Sequence, residues 1–313
     1  QGRPEKRFDN IEARVDSLLS YFFGQRKVIE SVTIPATRWS RFSNLIGSRH
    51  HFIIFWGFII IAFGTIEAFA QGLMPEFSWV WLLGETVGSA INAAVDAMNL
   101  LVLAVIAFAF FRRLFIKPRL IPMSRDAAAI LSAIAILMIT HFAMHGFRAL
   151  AGGSEPGFFV SDALTDGLQG RVKPETAILI AEINWWIHVV LLLVFLNYLA
   201  YSKHSHILAA LPNIYFRNLG QRGVLPKLNL EADDMAQTGV VSEWKDFTWK
   251  SLLDGFACTE CARCSNSCPA NTTGKPLSPM QVIHDLRDDI KTRLPDRGPL
   301  DDLVERFQHG EAA

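Results

Sequence analysis

The sequence predicts an all-α membrane protein with four transmembrane helices, joined to a helical domain on the cytoplasmic side. Three observations carry that prediction. Half of the 313 residues are hydrophobic and the mean hydropathy is +0.24, with the apolar residues gathered into four long runs. Lys and Arg collect in alternate connections between those runs. All four cysteines fall within twelve residues, Cys258 to Pro269, beyond the last run. Thirty basic and thirty acidic residues cancel, so no basic excess points to nucleic acid.

Residues 1–49 form a polar, basic N-terminal segment that opens at Gln1 with no signal-peptide pattern, as a fragment of a longer chain would. Within it, Ile11 to Phe23 carries apolar residues at helical spacing. That stretch reads as a helix lying on the membrane surface or packing on the cytoplasmic domain. Residues 50–211 hold the spans: about His51 to Ala70, Val87 to Phe111, Ala127 to Leu150 and Ile178 to Tyr201. Each approaches the ~20 apolar residues that cross a bilayer core. Four such runs in one short chain argue against helices buried in a soluble core.

Orientation follows from the connections. Arg26, Lys27, Arg38, Arg41 and Arg49 precede the first span; Arg112, Arg113, Lys117, Arg119 and Arg125 join the second to the third; Lys203, Arg217, Arg222 and Lys227 follow the fourth. Residues 71–86 and 151–176 are poorer in Lys and Arg. Basic connections stay inside, so both ends of the chain and the cysteines are expected in the cytoplasm of a cell with this protein in its inner membrane. Trp79, Trp81, Trp185 and Trp186 suit the outer interface.

Residues 212–257 read as a linker, with turn signals at Pro212, Gly220, Gly223 and Pro226 and apolar cover from Trp244, Phe247, Trp249 and Leu252. Residues 258–313 contain Cys258-x-x-Cys261-x-x-Cys264-x-x-x-Cys268-Pro269, the bacterial iron–sulfur run. Zinc is the weaker reading, because zinc sites pair two separated knuckles. Disulfides between cysteines this close would constrain little. Reduced thiolates holding iron also suit a cytoplasmic placement. After Pro269, Ser278 is placed to cap a helix with Pro279 at its first position.

Histidine is costly in a lipid-embedded helix, so each one there is a functional candidate. His141 and His145 lie in the third span and His188 in the fourth, while His51 opens the first and His204 and His206 follow the fourth. A b-type haem takes axial imidazoles at similar depth on two helices. His188 and His206 are about 27 Å apart along a continuous helix and serve different depths. Counted from the middle of each apolar run, His141 and His188 lie about four residues toward the outer side and His145 one turn further out, so His141, with His145 as rival, pairs with His188 on an outer haem. His51 pairs with His206, with His204 as rival, on an inner one. A single haem, or histidines that only bridge helices, are the remaining readings. Asp96 suits a proton route, a quinone contact or a structural pair with Arg148; Glu182 suits the first two roles; Glu67 and Glu85 suit exposed interfacial positions.

Three segments carry a resemblance: His51-Phe-Ile-Ile-Phe-Trp-Gly-Phe58, Ser202 to Asn213, and Ala257 to Lys275. Together they resemble the membrane-bound, heterodisulfide-reductase-related iron–sulfur oxidoreductases, whose membrane half is similar to the gamma subunit of respiratory nitrate reductase. Among them are the electron-transfer-flavoprotein:menaquinone oxidoreductases. The resemblance implies a bundle with two b haems, a helical ferredoxin domain with two [4Fe-4S] clusters, an electron-transfer flavoprotein as partner and electron delivery to a membrane quinone. The family has an additional helix before the segment starting at Gln1, and a second cysteine run with cysteine-rich repeats after Ala313. If those follow in a longer chain, Cys268 serves the second cluster; if not, all four cysteines hold a single one. The alternative function is a non-catalytic relay and anchor subunit of a larger sulfur or heterodisulfide redox complex.

Overall fold

In the computed structural model, the described residues are 2–29, 38–117, 121, 123–221, 224, 227–232, 241 and 246–293. Arg119, Arg222, Gly223, Pro226 and Trp244 lie outside them. The described residues are helical, with no strand; their only extended pairing is an isolated parallel bridge, Arg3 to Thr248. They divide into two compact units, Gln25–His204 and Gln1–Gly24 with Ser205–Ala313.

The N-terminal helix α1 (Ile11–Ser17) continues into a wider π-type turn at Leu18–Phe23, and α2 (Arg26–Ile29) opens the first unit. That unit is built on α3 (Arg38–Leu73), α5 (Glu85–Phe111), α6 (Arg125–Leu150) and α8 (Pro174–Tyr201), with α4 (Trp79–Leu83) and α7 (Phe159–Thr165) as short helices between them. Four segments are long and apolar enough to cross a membrane: residues 50–73, 85–116, 125–150 and 174–201. The chain is thus an all-α membrane protein with four spanning helices, as its apolar runs predict.

Local chemistry sets the helix starts. Ser124 Oγ accepts from Ala127 N at 3.1 Å to cap α6, and Pro174 occupies the first turn of α8, where its missing N–H costs nothing. Ser78 does the same for α4, accepting from Trp81 N at 3.1 Å. Val102 and Ile106 of α5, Leu131, Leu137 and Met138 of α6, and Leu192 of α8 form the shared core. Half of the apolar window of α6 is buried, against 17% for α3 and for α8, so α6 is the innermost helix.

The second unit gathers the chain's beginning and end. It contains α1, α9 (His206–Tyr215), α10 (Trp249–Phe256), α11 (Arg263–Ser267), α12 (Pro269–Thr272) and α13 (Pro279–Arg293). Arg3 N donates to Phe247 O at 2.8 Å, Trp249 N to Arg3 O at 3.1 Å, and the Trp249 indole to Glu5 O at 2.9 Å. Arg14, 1% exposed, donates to Asp9 O, Asp9 Oδ1, Tyr215 O and Arg217 O. The amphipathic stretch therefore packs on α9, in the unit that carries the cysteines. Part of the expected linker is helical too: α9 runs to Tyr215 with Pro212 inside it.

Candidate functional site

The cysteine loop is shaped by two residues with left-handed backbones that are not glycine. Glu260 has φ 55° and Ala262 φ 61°, one on either side of Cys261. Such residues cost of order 1–2 kcal/mol each, so the surroundings must hold them. Helix α13 supplies the brace. Arg287, 6% exposed, donates to Glu260 Oε1 at 2.9 Å; Ser265 Oγ meets Ser278 Oγ at 2.8 Å and accepts from Met280 N at 3.1 Å. Cys264 lies in α11, and Cys268 sits just before α12, its carbonyl accepting from Thr272 N at 2.9 Å.

None of the four thiols is in a disulfide; Cys258 and Cys268 are half-buried, Cys261 and Cys264 exposed. Burial pushes the Cys258 thiol up, opposed by its hydrogen bond to the Glu260 backbone and by the charge of Arg287. Among the described residues, no three His, Cys, Asp or Glu converge closely enough to hold a single metal ion. The ligands of an iron–sulfur cluster bind separate irons and need no common point. Four soft thiols on one short, braced loop fit that group by donor chemistry.

The bundle unit brings three of the predicted histidines to one region. His141 and His145 of α6 have ring centroids 4.7 Å apart. His188 of α8, also buried, places Nδ1 2.9 Å from the hydroxyl of Thr140, beside His141 on α6. His141 is 4% exposed; its Nε2 lies 3.4 Å from Asp96 Oδ1, outside hydrogen-bond geometry, and has no hydrogen-bond partner among the described residues. That carboxylate oxygen is still within ion-pair distance of the ring nitrogen. By donor type, imidazoles on two helices are what axial ligation of a haem would use. The other predicted histidines are distributed differently. His51 belongs to α3 of the bundle unit and His206 opens α9 of the second unit, while His204 packs its ring 5.9 Å from Phe195 in the bundle unit.

Asp96 takes a role the sequence did not indicate. Its Oδ2 accepts from Val160 N at 2.6 Å and Ser161 N at 3.2 Å, and its Oδ1 from Ser161 Oγ at 2.6 Å. It thus satisfies the first-turn donors of α7, rather than pairing with Arg148. Asn92 Nδ2 holds the same segment through Pro156 O at 3.1 Å. Two glycines allow the close approach. A Cβ on Gly146 would fall 2.7 Å from Ser161 O, and one on Gly157, whose φ is 109°, 2.4 Å from Ser89 O. So anchored, the segment lays Phe158, 3% exposed, flat on His145 at 3.7 Å.

Glu67 also departs from expectation. It is 5% exposed rather than open to solvent, because α4 folds back so that Trp79 N donates to Glu67 Oε1 at 3.2 Å. Glu85 and Glu182 are exposed. Thr140, Phe158, Ser161 and Arg287 were not singled out in the sequence; the Thr140-His141 step on one helix was the available hint.

The fold and these two centres define a helical membrane protein with buried imidazoles in its bundle and a four-thiol loop in a second unit. Its sequence is similar to a probable iron–sulfur-binding oxidoreductase, FadF, of Bacillus subtilis, with 32% identity over 293 residues. It is also similar to the EtfAB:quinone oxidoreductase of Syntrophomonas wolfei, with 27% identity over 307 residues. Each match covers 92% of this chain and 39% of the relative, so the chain spans about two fifths of their length. A probable membrane-anchored ferredoxin of Chromohalobacter salexigens is 40% identical over 57 residues, 18% of this chain and 8% of that protein. No family model and no solved structure matches the chain.

Proposed function

We propose that this chain carries electrons between a soluble flavoprotein-type partner and membrane quinone, through an iron–sulfur centre and b haems. The observation that carries the reading is the pairing, in one chain, of the Cys258–Cys268 run with buried imidazoles, His141 and His188, in helices of membrane-spanning length. The relative named EtfAB:quinone oxidoreductase supports the choice of partner and of quinone, menaquinone being the expected form. When bound, the cluster and haems supply one-electron transfer, and the protein sets their position and surroundings.

The residues divide the work. Cys258, Cys261 and Cys264 hold a [4Fe-4S] cluster, with Cys268 either its fourth ligand or the ligand of a second one. His188 and either His141 or His145 hold the outer haem, and Phe158 excludes water from the His145 face. His51 with His206 or His204 are the sequence-based candidates for the inner haem. The basic connections support a cytoplasmic position, at the inner membrane, for the thiol-bearing unit. The reaction is that of a quinone-linked oxidoreductase, in which two electrons and two protons convert quinone to quinol.

A pyridine haemochrome and iron assay on the intact protein tests the cofactors. We expect b-type bands after dithionite reduction, and His188→Ala to remove one haem of two; a reduced sample without those bands, or full haem content in the variant, overturns the bundle assignment. Reduced electron-transfer flavoprotein and a menaquinone analogue test the reaction. Failure to reduce the analogue with all cofactors in place selects the relay and anchor function instead.

A further inference from the structure

The geometry points to Thr140 as the positioning residue that fixes the tautomer of His188, and so decides which of its nitrogens is free to bind metal. The inference rests on the haem reading above and deepens it. Thr140 is 4% exposed, and its hydroxyl meets three groups: Ile136 O at 2.9 Å, Leu137 O at 3.0 Å and His188 Nδ1 at 2.9 Å.

Only one assignment satisfies all three contacts. A hydroxyl has one proton and two lone pairs, whereas a backbone carbonyl can only accept. The Thr140 proton therefore goes to the Ile136 and Leu137 carbonyls, shared between the i−4 and i−3 positions as helix-borne threonines do. Its lone pair is left facing His188 Nδ1, which must then carry the ring proton. In the neutral ring the other nitrogen, Nε2, is the one with a lone pair. The reverse arrangement, with Thr140 donating to Nδ1, sets the hydroxyl oxygen against two carbonyl oxygens and puts the proton on Nε2, where it blocks ligation.

This is the outer-shell arrangement that metal-bound histidines commonly use, with the distal N–H committed to an acceptor so that ring orientation and basicity are fixed. Here the acceptor is a side chain of α6, the same helix that carries His141 and His145. One helix therefore supplies the candidate partner ligand and orients the ligand opposite. Thr140 does not touch the metal; it acts through His188.

The test uses the whole chain in detergent, labelled with [15N]histidine, with His188→Gln identifying the His188 signals. In the apoprotein we expect His188 protonated at Nδ1, a mixture of tautomers in Thr140→Val, and the Nδ1–H form restored in Thr140→Ser. A His188 ring protonated at Nε2 in the unaltered protein, or unchanged in Thr140→Val, overturns the inference whatever the haem content. In the loaded protein, Thr140→Val should lower haem affinity by roughly 10–100-fold. It should also raise the midpoint potential of one haem, because a less electron-rich imidazole stabilises the oxidised iron less, and Thr140→Ser should keep both properties. Equal potentials in all three proteins also overturn it. Absence of haem from the unaltered protein instead removes the functional reading, while the apoprotein spectra still decide the role of Thr140.

Discussion

Replacing Asp96 with Ala should release the α7 segment from the bundle. Three donors converge on this carboxylate: Val160 N and Ser161 N on one oxygen, Ser161 Oγ on the other. Asp96 is fully buried, so water does not readily take its place. Hydrogen bonds to a charged group contribute about 1.5–3 kcal/mol each, and three at the lower figure come to roughly 4.5 kcal/mol. That corresponds to about a thousandfold in a local opening equilibrium. Hydrogen exchange followed by mass spectrometry on peptides covering 154–166 reads that opening directly. The expected result is exchange faster by about three orders of magnitude there, with peptides from the middle of α5 unchanged.

Asp96→Asn separates geometry from charge. The amide oxygen can still accept the two backbone N–H groups, and the Ser161 hydroxyl can turn to accept from the amide nitrogen. Exchange should then rise by no more than about tenfold, one ordinary hydrogen bond's worth. Unchanged exchange in Asp96→Ala refutes the anchoring role. Asn as damaging as Ala refutes the geometric account in favour of one that needs the charge itself. Because the segment holds Phe158 on His145, loosening it should also broaden the electron paramagnetic resonance of the haem proposed for this site.

Cys261→Ser should abolish the iron–sulfur signal in electron paramagnetic resonance while haem content, measured on the same sample, stays constant; loss of both together would show the two centres to be one folding unit. Arg14→Met leaves the Tyr215 and Arg217 carbonyls without their donor, so limited proteolysis should release the N-terminal segment at least about tenfold faster. An unchanged cleavage rate would place residues 2–24 elsewhere. Burial lifts the Glu155 carboxyl above the usual range, against the opposing charge of Arg148. Its contribution to stability is therefore full below the ordinary glutamate pKa and fades as pH rises through the raised folded value. Glu155→Gln removes that loss, so residues 151–158 should exchange more slowly than in the parent protein at neutral pH and equally below the ordinary glutamate range. Identical exchange at neutral pH would refute it.

The spans could be read from the sequence because a continuous apolar run has one cheap environment, and its length matches the bilayer. The polar residues inside them were harder to assign. Asp96 was visible as a buried charge needing partners, but those partners lie 64 and 65 residues away on a seven-residue helix. Nothing in the polar, glycine-containing 151–176 connection marks such a helix. Glu67 was misplaced for the same reason: its donor belongs to α4, which returns onto α3 through a turn whose direction periodicity does not encode. The four-thiol run could be located from the sequence alone, since spacing within a loop is itself a sequence property. What was hidden there is the brace, because Arg287 reaches Glu260 across 27 positions.

Depth arithmetic set His141 level with His188 and His145 one turn further out on the same face, which made His141 the first candidate and His145 its rival. Their neighbours distinguish them. His145 is covered by Phe158, whereas His141 turns its Nε2 toward the Asp96 carboxylate, 3.4 Å away. Both are found on α6 for a physical reason. In a membrane bundle a polar side chain is tolerated only where protein surrounds it, and α6 is the helix with half its apolar window buried. Thr140, His141, His145 and the Gly146 contact to α7 all fall on that helix, while α3 and α8, largely open along their length, bring few buried polar groups, His188 and Glu67 among them. His188 is tolerated on α8 because Thr140 meets it from α6. The innermost helix thus fixes where imidazoles can lie, and through Thr140 it also determines the state in which the opposite one is held.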